Sequence, residues 1–314
     1  MYQRFTNKKV LIIPLNWGLG HATRCVPIIE SLIKVNAQIT ISGSGESGCY
    51  LKQRFDSLTF IEDCPDYGIH YGQKGVSLFS MLLQWPKLER AIVNENRWLG
   101  QYIQEHSIDF ILSDHRFGIH HSSAYNIFIS HQLNPILPFF MREIFQYSQK
   151  RKLKFFQEIW IPDQSAPSDL SGDLSKYLGE QVIQRIGWLS RFNYTAAIPF
   201  EPYEWVGWVS GPETQRSVFE EFLQVKFERS GKRCLLICGQ PHLSFDTTQN
   251  GVRRISHLSD GEMKFVIANA ERCFARSGYS TLMDLKALKV NAELFPTPGQ
   301  SEQIYLAKRW KSFC

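Results

Sequence analysis

The sequence predicts an α/β protein made of two parallel-sheet domains. Two observations carry that reading. Short apolar runs that end in turn residues alternate with segments of helical period through the first half of the chain, and the same alternation starts again near residue 203. Between the two series, roughly 160–200 is rich in Pro, Ser, Asp and Gly and is the expected junction.

VLIIPL (10–15) is apolar throughout and bounded by turn residues, which suits a strand buried on both faces. From His21 the period changes, with Cys25, Val26, Ile29, Leu32 and Ile33 at helical spacing. AQITIS (37–42) alternates as a strand, and GSGESG (43–48) reads as a turn. LTFI (58–61), IDFILS (108–113) and NIFIS (126–130) are further strands, while 76–105 is helical in period and interrupted at Pro86. In the second half YEWVGWV (203–209), RCLLIC (233–238), RCFARS (272–277) and AELFP (292–296) read as strands. Segments 214–227, 261–270, 280–289 and 301–310 read as helices.

A chain of 314 residues can bury a substantial core, and 43% hydrophobic with 21% charged residues fits a soluble globular protein. The net charge of +5 favours anionic ligands slightly and does not mark a nucleic-acid binder. Seven cysteines, an odd number without a CxxC pair, suggest reduced cytoplasmic usage. MYQRFTNKK leads straight into a strand, so no signal peptide is visible. No apolar run approaches the roughly 18 residues needed to span a bilayer.

Two glycine turns stand where a strand must pass into a helix. In NWGLGHATRC, Gly18 and Gly20 permit positive φ and a close backbone approach, and the helix start that follows suits a phosphate or a developing oxyanion. His21 stands at that start and Arg24 one turn further on. The same residues also read as a tight turn with a solvated histidine. In FARSGYSTLMD, Arg276, Ser277, Gly278, Tyr279, Ser280 and Thr281 lie around the turn and Asp284 one turn into the helix. The Ser and Thr groups could hold a diphosphate and Asp284 a ribose diol, or the run could be a helix cap. PTPGQSEQ then places Gln300, Glu302 and Gln303 at the next helix start.

DFILSDHRFG puts Asp114, His115 and Arg116 just after one strand, and NIFISHQL puts His131 after the next. In a parallel sheet both ends face one cleft, where these residues could bind an acceptor or orient a base. Equally, Asp114 could cap a turn and His131 could be a half-buried structural histidine. No DxD pair and no zinc-type spacing around His120 and His121 are present, so chemistry that uses helix ends and arginine in place of a metal is expected. Segment 138–158 mixes aromatics with Arg142, Lys150, Arg151, Lys152 and Lys154. It reads as a face for an acidic membrane or as a helix with its aromatics packed inward.

Taken together, GLGH (18–21) and RSGYSTLMDLKALKVNAELFPTPGQSEQ resemble the GT-B glycosyltransferases, most closely family 28, which includes the peptidoglycan lipid-linked N-acetylglucosaminyltransferase. IGWLSR (186–191) is similar to that family's interdomain segment, SGPETQR (210–216) to its second glycine loop, and HLSDGEM (257–263) to the segment that reads uracil near Leu258. The resemblance implies two Rossmann-like domains facing a central cleft, 1–185 for the acceptor and 186–314 for the nucleotide sugar. It implies an inverting transfer, with no metal or other cofactor, from a UDP-sugar to a glycan or lipid-linked hydroxyl. His21 and Asp114 would be catalytic. Gly18, Gly20, Arg191, Leu258, Arg276–Thr281, Asp284, Gln300, Glu302 and Gln303 would hold the donor. Arg24, His115, Arg116 and His131 would lie on the acceptor side. The chain ends soon after the SEQ helix, so the usual helices that cross back to the first domain are expected to be missing. A UDP-sugar 2-epimerase or a non-catalytic nucleotide-sugar binder shares this architecture. A cytoplasmic location follows, with peripheral contact at the inner membrane face through 138–158.

Overall fold

The computed structural model describes residues 1–68, 78–177 and 179–313. The first half forms a seven-stranded sheet of β1 (Lys9–Pro14), β2 (Gln38–Ser42), β3 (Thr59–Ile61), β4 (Phe110–Asp114), β5 (Tyr125–Ile129), β6 (Glu158–Ile161) and β7 (Val182–Arg185). Its order is β3-β2-β1-β4-β5-β6-β7, with every pair parallel. Helices α1 (Leu19–Lys34), α2 (Gly45–Arg54), α3 (Leu78–Glu105) and α4 (Phe139–Leu153) connect the strands. Alternation along β1 explains its burial on both sides. Val10 and Ile12 join a core with Cys25, Val26 and Ile29 of α1, while Leu11 and Ile13 pack with Leu99 and Ile111 on the other face.

The second half forms a six-stranded sheet of β8 (Trp205–Trp208), β9 (Cys234–Ile237), β10 (Asp246–Gln249), β11 (Val252–Ile255), β12 (Arg272–Ala275) and β13 (Ala292–Leu294). The order is β10-β11-β9-β8-β12-β13, parallel except for the β10–β11 hairpin. Helices α5 (Gln215–Glu228), α6 (Asp260–Asn269), α7 (Tyr279–Leu288) and α8 (Ser301–Trp310) complete it. The α/β class and the two Rossmann-like bodies are as the sequence predicts.

In each sheet the first strand lies inside, and the chain leaves it in opposite directions. These are topological switch points, which open a crevice at the carboxyl ends of β1/β4 and of β8/β12. A buried core runs from one half to the other through Trp160, Leu170, Phe192, Tyr279, Met283 and Trp310. Helix α8 itself bridges back to the first half. Arg309 Nη2 donates to Asp169 O at 2.7 Å, and Tyr305 Oη accepts from the Asp173 amide at 3.0 Å.

Four local expectations are corrected. Residues 43–48 do not form an isolated turn, because Gly45 takes φ 55° and opens α2. Part of the expected junction, 160–185, carries β6 and β7 of the first sheet, so the connection lies between Arg185 and Trp205. Segment 138–158 is helical only to Leu153, after which Glu158 starts β6. Its apolar and aromatic side chains do not all turn inward. Ile144 and Tyr147 are 69% and 66% exposed beside the exposed Arg142, Lys150 and Arg151. A hairpin at 246–255 also stands where no strands were expected.

Candidate active site

The turn after β1 brings the two halves into contact. Gly18 has φ 84°, and a Cβ there would sit 3.0 Å from Gly211 Cα in the loop after β8. Only a residue without a side chain tolerates both conditions. Two residues on, Ser280 Oγ in the first turn of α7 donates to Gly20 O at 2.7 Å. The N-terminal ends of α1 and α7 therefore face each other across the cleft.

His21, in the first turn of α1, meets Asp114 at the end of β4, with Nδ1 2.9 Å from Oδ2. Arg24, one turn later, donates from Nε to Asp114 Oδ1 at 2.9 Å, and its Nη2 also contacts that oxygen. Asp114 is wholly buried, and burial alone would raise its pKa, but Arg24 and then His21 outweigh it and hold the carboxyl down at about 2. Burial, with Arg24 adding to it, lowers the pKa of His21 against the opposing pull of Asp114. His21 is thus a neutral imidazole beside a fixed carboxylate, with its side chain still 16% exposed. That pairing can orient the ring and stabilise the imidazolium formed when it accepts a proton.

Other histidines surround the pair. His115 follows Asp114 with φ 61°, and its Nδ1 lies 3.0 Å from Ser130 Oγ. Burial pushes its pKa well below the usual value. His131, after β5, reaches Arg24 Nη1 at 3.0 Å through Nδ1 and Glu302 Oε1 of α8 at 2.7 Å through Nε2. Arg24 and Arg116 are corrected as acceptor contacts. Both are 1% exposed, and both are consumed by buried carboxylates, Arg24 by Asp114 and Arg116 by Glu95 at 2.6 Å.

On the other side Arg191, in the segment that joins the sheets, lies between two acids. Its Nη1 is 3.2 Å from Asp260 Oδ1 and its Nε 3.3 Å from Asp284 Oδ2. Asp284 also accepts from Ser190 Oγ at 2.7 Å. Its burial raises the pKa to about 6 despite Arg191. In this closed arrangement neither Arg191 nor Asp284 is free to meet a ligand, so each must exchange partners to bind one. Arg276 is placed differently from expectation. Its guanidinium stacks 4.1 Å from the Phe219 ring and donates to Pro296 O at 3.0 Å, and burial lowers its pKa to about 10. It braces the loop after β13.

The remaining expected donor residues gather at the same end of the second sheet. Gly278 precedes α7, Tyr279 Oη donates to Pro162 O at 2.9 Å, and Ser277 Oγ donates to Gln303 O at 2.8 Å. Gln303 Oε1 accepts from the Thr297 amide at 2.9 Å, and its amide contacts Gln300, so the Pro loop is held by its own glutamines. The Leu258 side chain is buried in the core, which leaves only its backbone to face a ligand. Between the halves lies a cavity of about 40 Å³ lined by Gly20 and Thr23 on one side and by Arg191, His257, Ser280 and Thr281 on the other. Ligand pockets usually run to roughly 300–1,000 Å³, well above the volume of this one.

Sequence reasoning missed Asp260 and Tyr50. Tyr50 Oη of α2 donates to Asp260 Oδ2 at 2.7 Å and ties the halves together. Tyr50 was hidden because α2 was not recognised. Asp260 sits inside a capping box formed by Ser259 and Glu262, a signal that reads as structure alone.

No protein-family model and no curated protein matches the chain. Solved structures do. An Arabidopsis thaliana glycosyltransferase, UGT89C1, complexed with UDP-L-rhamnose, is 14% identical with a TM-score of 0.60, covering 96% of this chain and 82% of its own. SsfS6, a glycosyltransferase of Streptomyces sp. SF2575, is 12% identical with a TM-score of 0.60, covering 97% and 86%. The spinosyn forosaminyltransferase SpnP is 13% identical at the same TM-score, covering 98% and 83%. At these identities the likeness is one of fold. The chain has the two-body fold of GT-B glycosyltransferases, and its switch-point crevices face each other as that fold requires.

Proposed function

We propose that this protein transfers a sugar from a nucleotide diphosphate sugar, a UDP-sugar by its resemblances, to an acceptor hydroxyl. The observation that carries the reading is the His21–Asp114 pair, held at the carboxyl end of one sheet directly opposite the N-terminus of α7 on the other. His21 Nε2 takes the proton of the acceptor hydroxyl, and Asp114 stabilises the imidazolium. The acceptor oxygen bonds to the anomeric carbon as the bond to the diphosphate breaks, and the electron pair leaves on the diphosphate. Attack from the opposite side inverts the configuration. Backbone N–H groups around 278–281 and the dipole of α7 receive the developing charge. Arg191 joins them once it leaves Asp284, which then accepts from the ribose. These groups supply the stabilisation a metal gives elsewhere, so the reaction is read as metal-independent.

The GLGH and SEQ motifs support a donor and acceptor arrangement like that of family 28, with 1–185 on the acceptor side and 186–314 on the donor side. No helix among the described residues is long and apolar enough to cross a membrane. The exposed Ile144 and Tyr147 among the cations of α4 support peripheral contact with an anionic surface, which suits a lipid-linked acceptor at the cytoplasmic face. Incubation with UDP-sugars, alone and with hydroxyl acceptors, tests the reaction. UDP release that depends on acceptor is expected. Conversion of the UDP-sugar to an epimer without acceptor, or binding without any turnover, overturns it.

A further inference from the structure

The residue that steadies Asp114 is itself held from the other half of the molecule, and hydrogen-bond polarity shows how. Arginine only donates and a carboxylate only accepts. His131 has Arg24 at its Nδ1 and Glu302 at its Nε2, at 3.0 and 2.7 Å. One state satisfies both contacts: a neutral ring with its proton on Nε2 and its lone pair facing Arg24. His21 is in the opposite position. Its Nδ1 has Arg24 Nη2 at 2.8 Å and Asp114 Oδ2 at 2.9 Å. A proton on Nδ1 goes to Asp114 and leaves Nε2 as a base. A lone pair on Nδ1 accepts from Arg24 and moves the ring proton to Nε2, where it blocks general-base action. The position of Arg24 decides between them.

We propose that His131, fixed by Glu302, is a positioning residue that holds Arg24 on Asp114 and keeps His21 in its base-competent, Nδ1-protonated form. The inference rests on the reading of His21 as the base. Both partners that fix His131 belong to the second half. Glu302 lies in the first turn of α8, and the His131 ring stacks on Tyr279 of α7 at 4.0 Å with a 5° interplanar angle. The base is therefore assembled by closure of the two halves. When they part, His131 loses both contacts and no longer fixes Arg24, whose Nη2, now engaged by Asp114 Oδ1 and already 2.8 Å from His21 Nδ1, is then free to donate to that ring instead. The other groups facing His21 do not replace this control. The His115 ring is 6.0 Å away and its Nδ1 is engaged by Ser130, while Asp114 is already held by Arg24 Nε.

Imidazole nitrogen NMR and the split between kcat and KM test this together. The wild type should show Nδ1–H at His21 and Nε2–H at His131. In His131→Ala, His21 should change to Nε2–H, with kcat lower by about tenfold or more and KM for the UDP-sugar nearly unchanged. His131→Asn, whose amide oxygen replaces Nδ1 as acceptor for Arg24, should restore the His21 tautomer and most of kcat. A packing role on Tyr279 alone would not be rescued in this way. A folded His131→Ala that keeps Nδ1–H at His21 overturns the proposal. If that variant does not fold, Glu302→Ala gives the same readout, and an unchanged His21 tautomer there overturns it equally. The tautomers are read without substrate, so the expected NMR pattern in a protein that transfers no sugar would sustain the coupling and refute only the reaction.

Discussion

His21 and Asp114 lie 93 residues apart in sequence and 2.9 Å apart in space, and the residue-scale predictions follow from that contact. His21→Ala should keep its melting temperature and UDP affinity while turnover falls by about 10²–10⁴, the usual range for general-base help. If the variant unfolds instead, the glycine turn is purely structural. Because the pKa of His21 is lowered in the folded protein, the acid limb of kcat/KM should lie below the ordinary histidine value of 6.5. A limb above that value would show that another group is the base. Asp114→Asn leaves Arg24 buried without its carboxylate and should cost about 3–5 kcal/mol in denaturant unfolding. The pH dependence has a definite sign. The folded pKa of Asp114, about 2, lies below its ordinary 3.8. Its contribution, about 2 kcal/mol, is complete above the unfolded pKa and is lost as pH falls through the folded value. The Asn variant should therefore lose the part of the wild-type acid sensitivity that lies in this window.

At the scale of elements, the strands legible in sequence were those with buried apolar runs, such as β1, β4 and β9. Of the elements that escaped, β6 is buried throughout but falls where segment 138–158 meets the expected junction, and the others have other signatures. β10 and β11 are joined by Asn250 and Gly251 at φ 51° and 80°, and the Asn-Gly pair in the sequence is the strongest short-range sign of such a hairpin. β7 is half exposed, with Val182 at 63%, so its four residues carry no apolar run. Helix α2 opens at a glycine in positive φ, and GSGESG therefore looks like a turn. The residues that the structure gathers at the cleft were legible where glycines and hydroxyls cluster around 18–21 and 277–284. They were illegible at Arg24 and Arg116, because a sequence does not reveal which arginines are consumed by buried carboxylates. Gly18→Ala should lower stability by more than about 1 kcal/mol, since φ 84° and the Gly211 backbone both oppose a side chain. A thermal melt within error of wild type would show that the two loops are not in contact. At α4, replacing Ile144 and Tyr147 with serine should reduce sedimentation with anionic vesicles while turnover on a water-soluble acceptor stays unchanged. Equal sedimentation removes the membrane reading.

At the scale of the whole molecule, the two switch-point crevices close around a cavity of about 40 Å³ lined by residues of both halves. Tyr50–Asp260, Ser280–Gly20 and His131–Glu302 hold that closure, and each joins one half to the other. Arg191, between Asp260 and Asp284, stands at the proposed place of the nucleotide diphosphate. A nucleotide diphosphate bound there would exchange these internal ion pairs for external ones. An experimental structure determined with UDP tests this most directly. Diphosphate oxygens are expected within hydrogen-bond distance of the backbone N–H groups around 278–281, with Arg191 drawn from Asp284 towards the phosphates and the ribose hydroxyls on Asp284. UDP bound away from α7, or no UDP bound at saturating concentration, would contradict it.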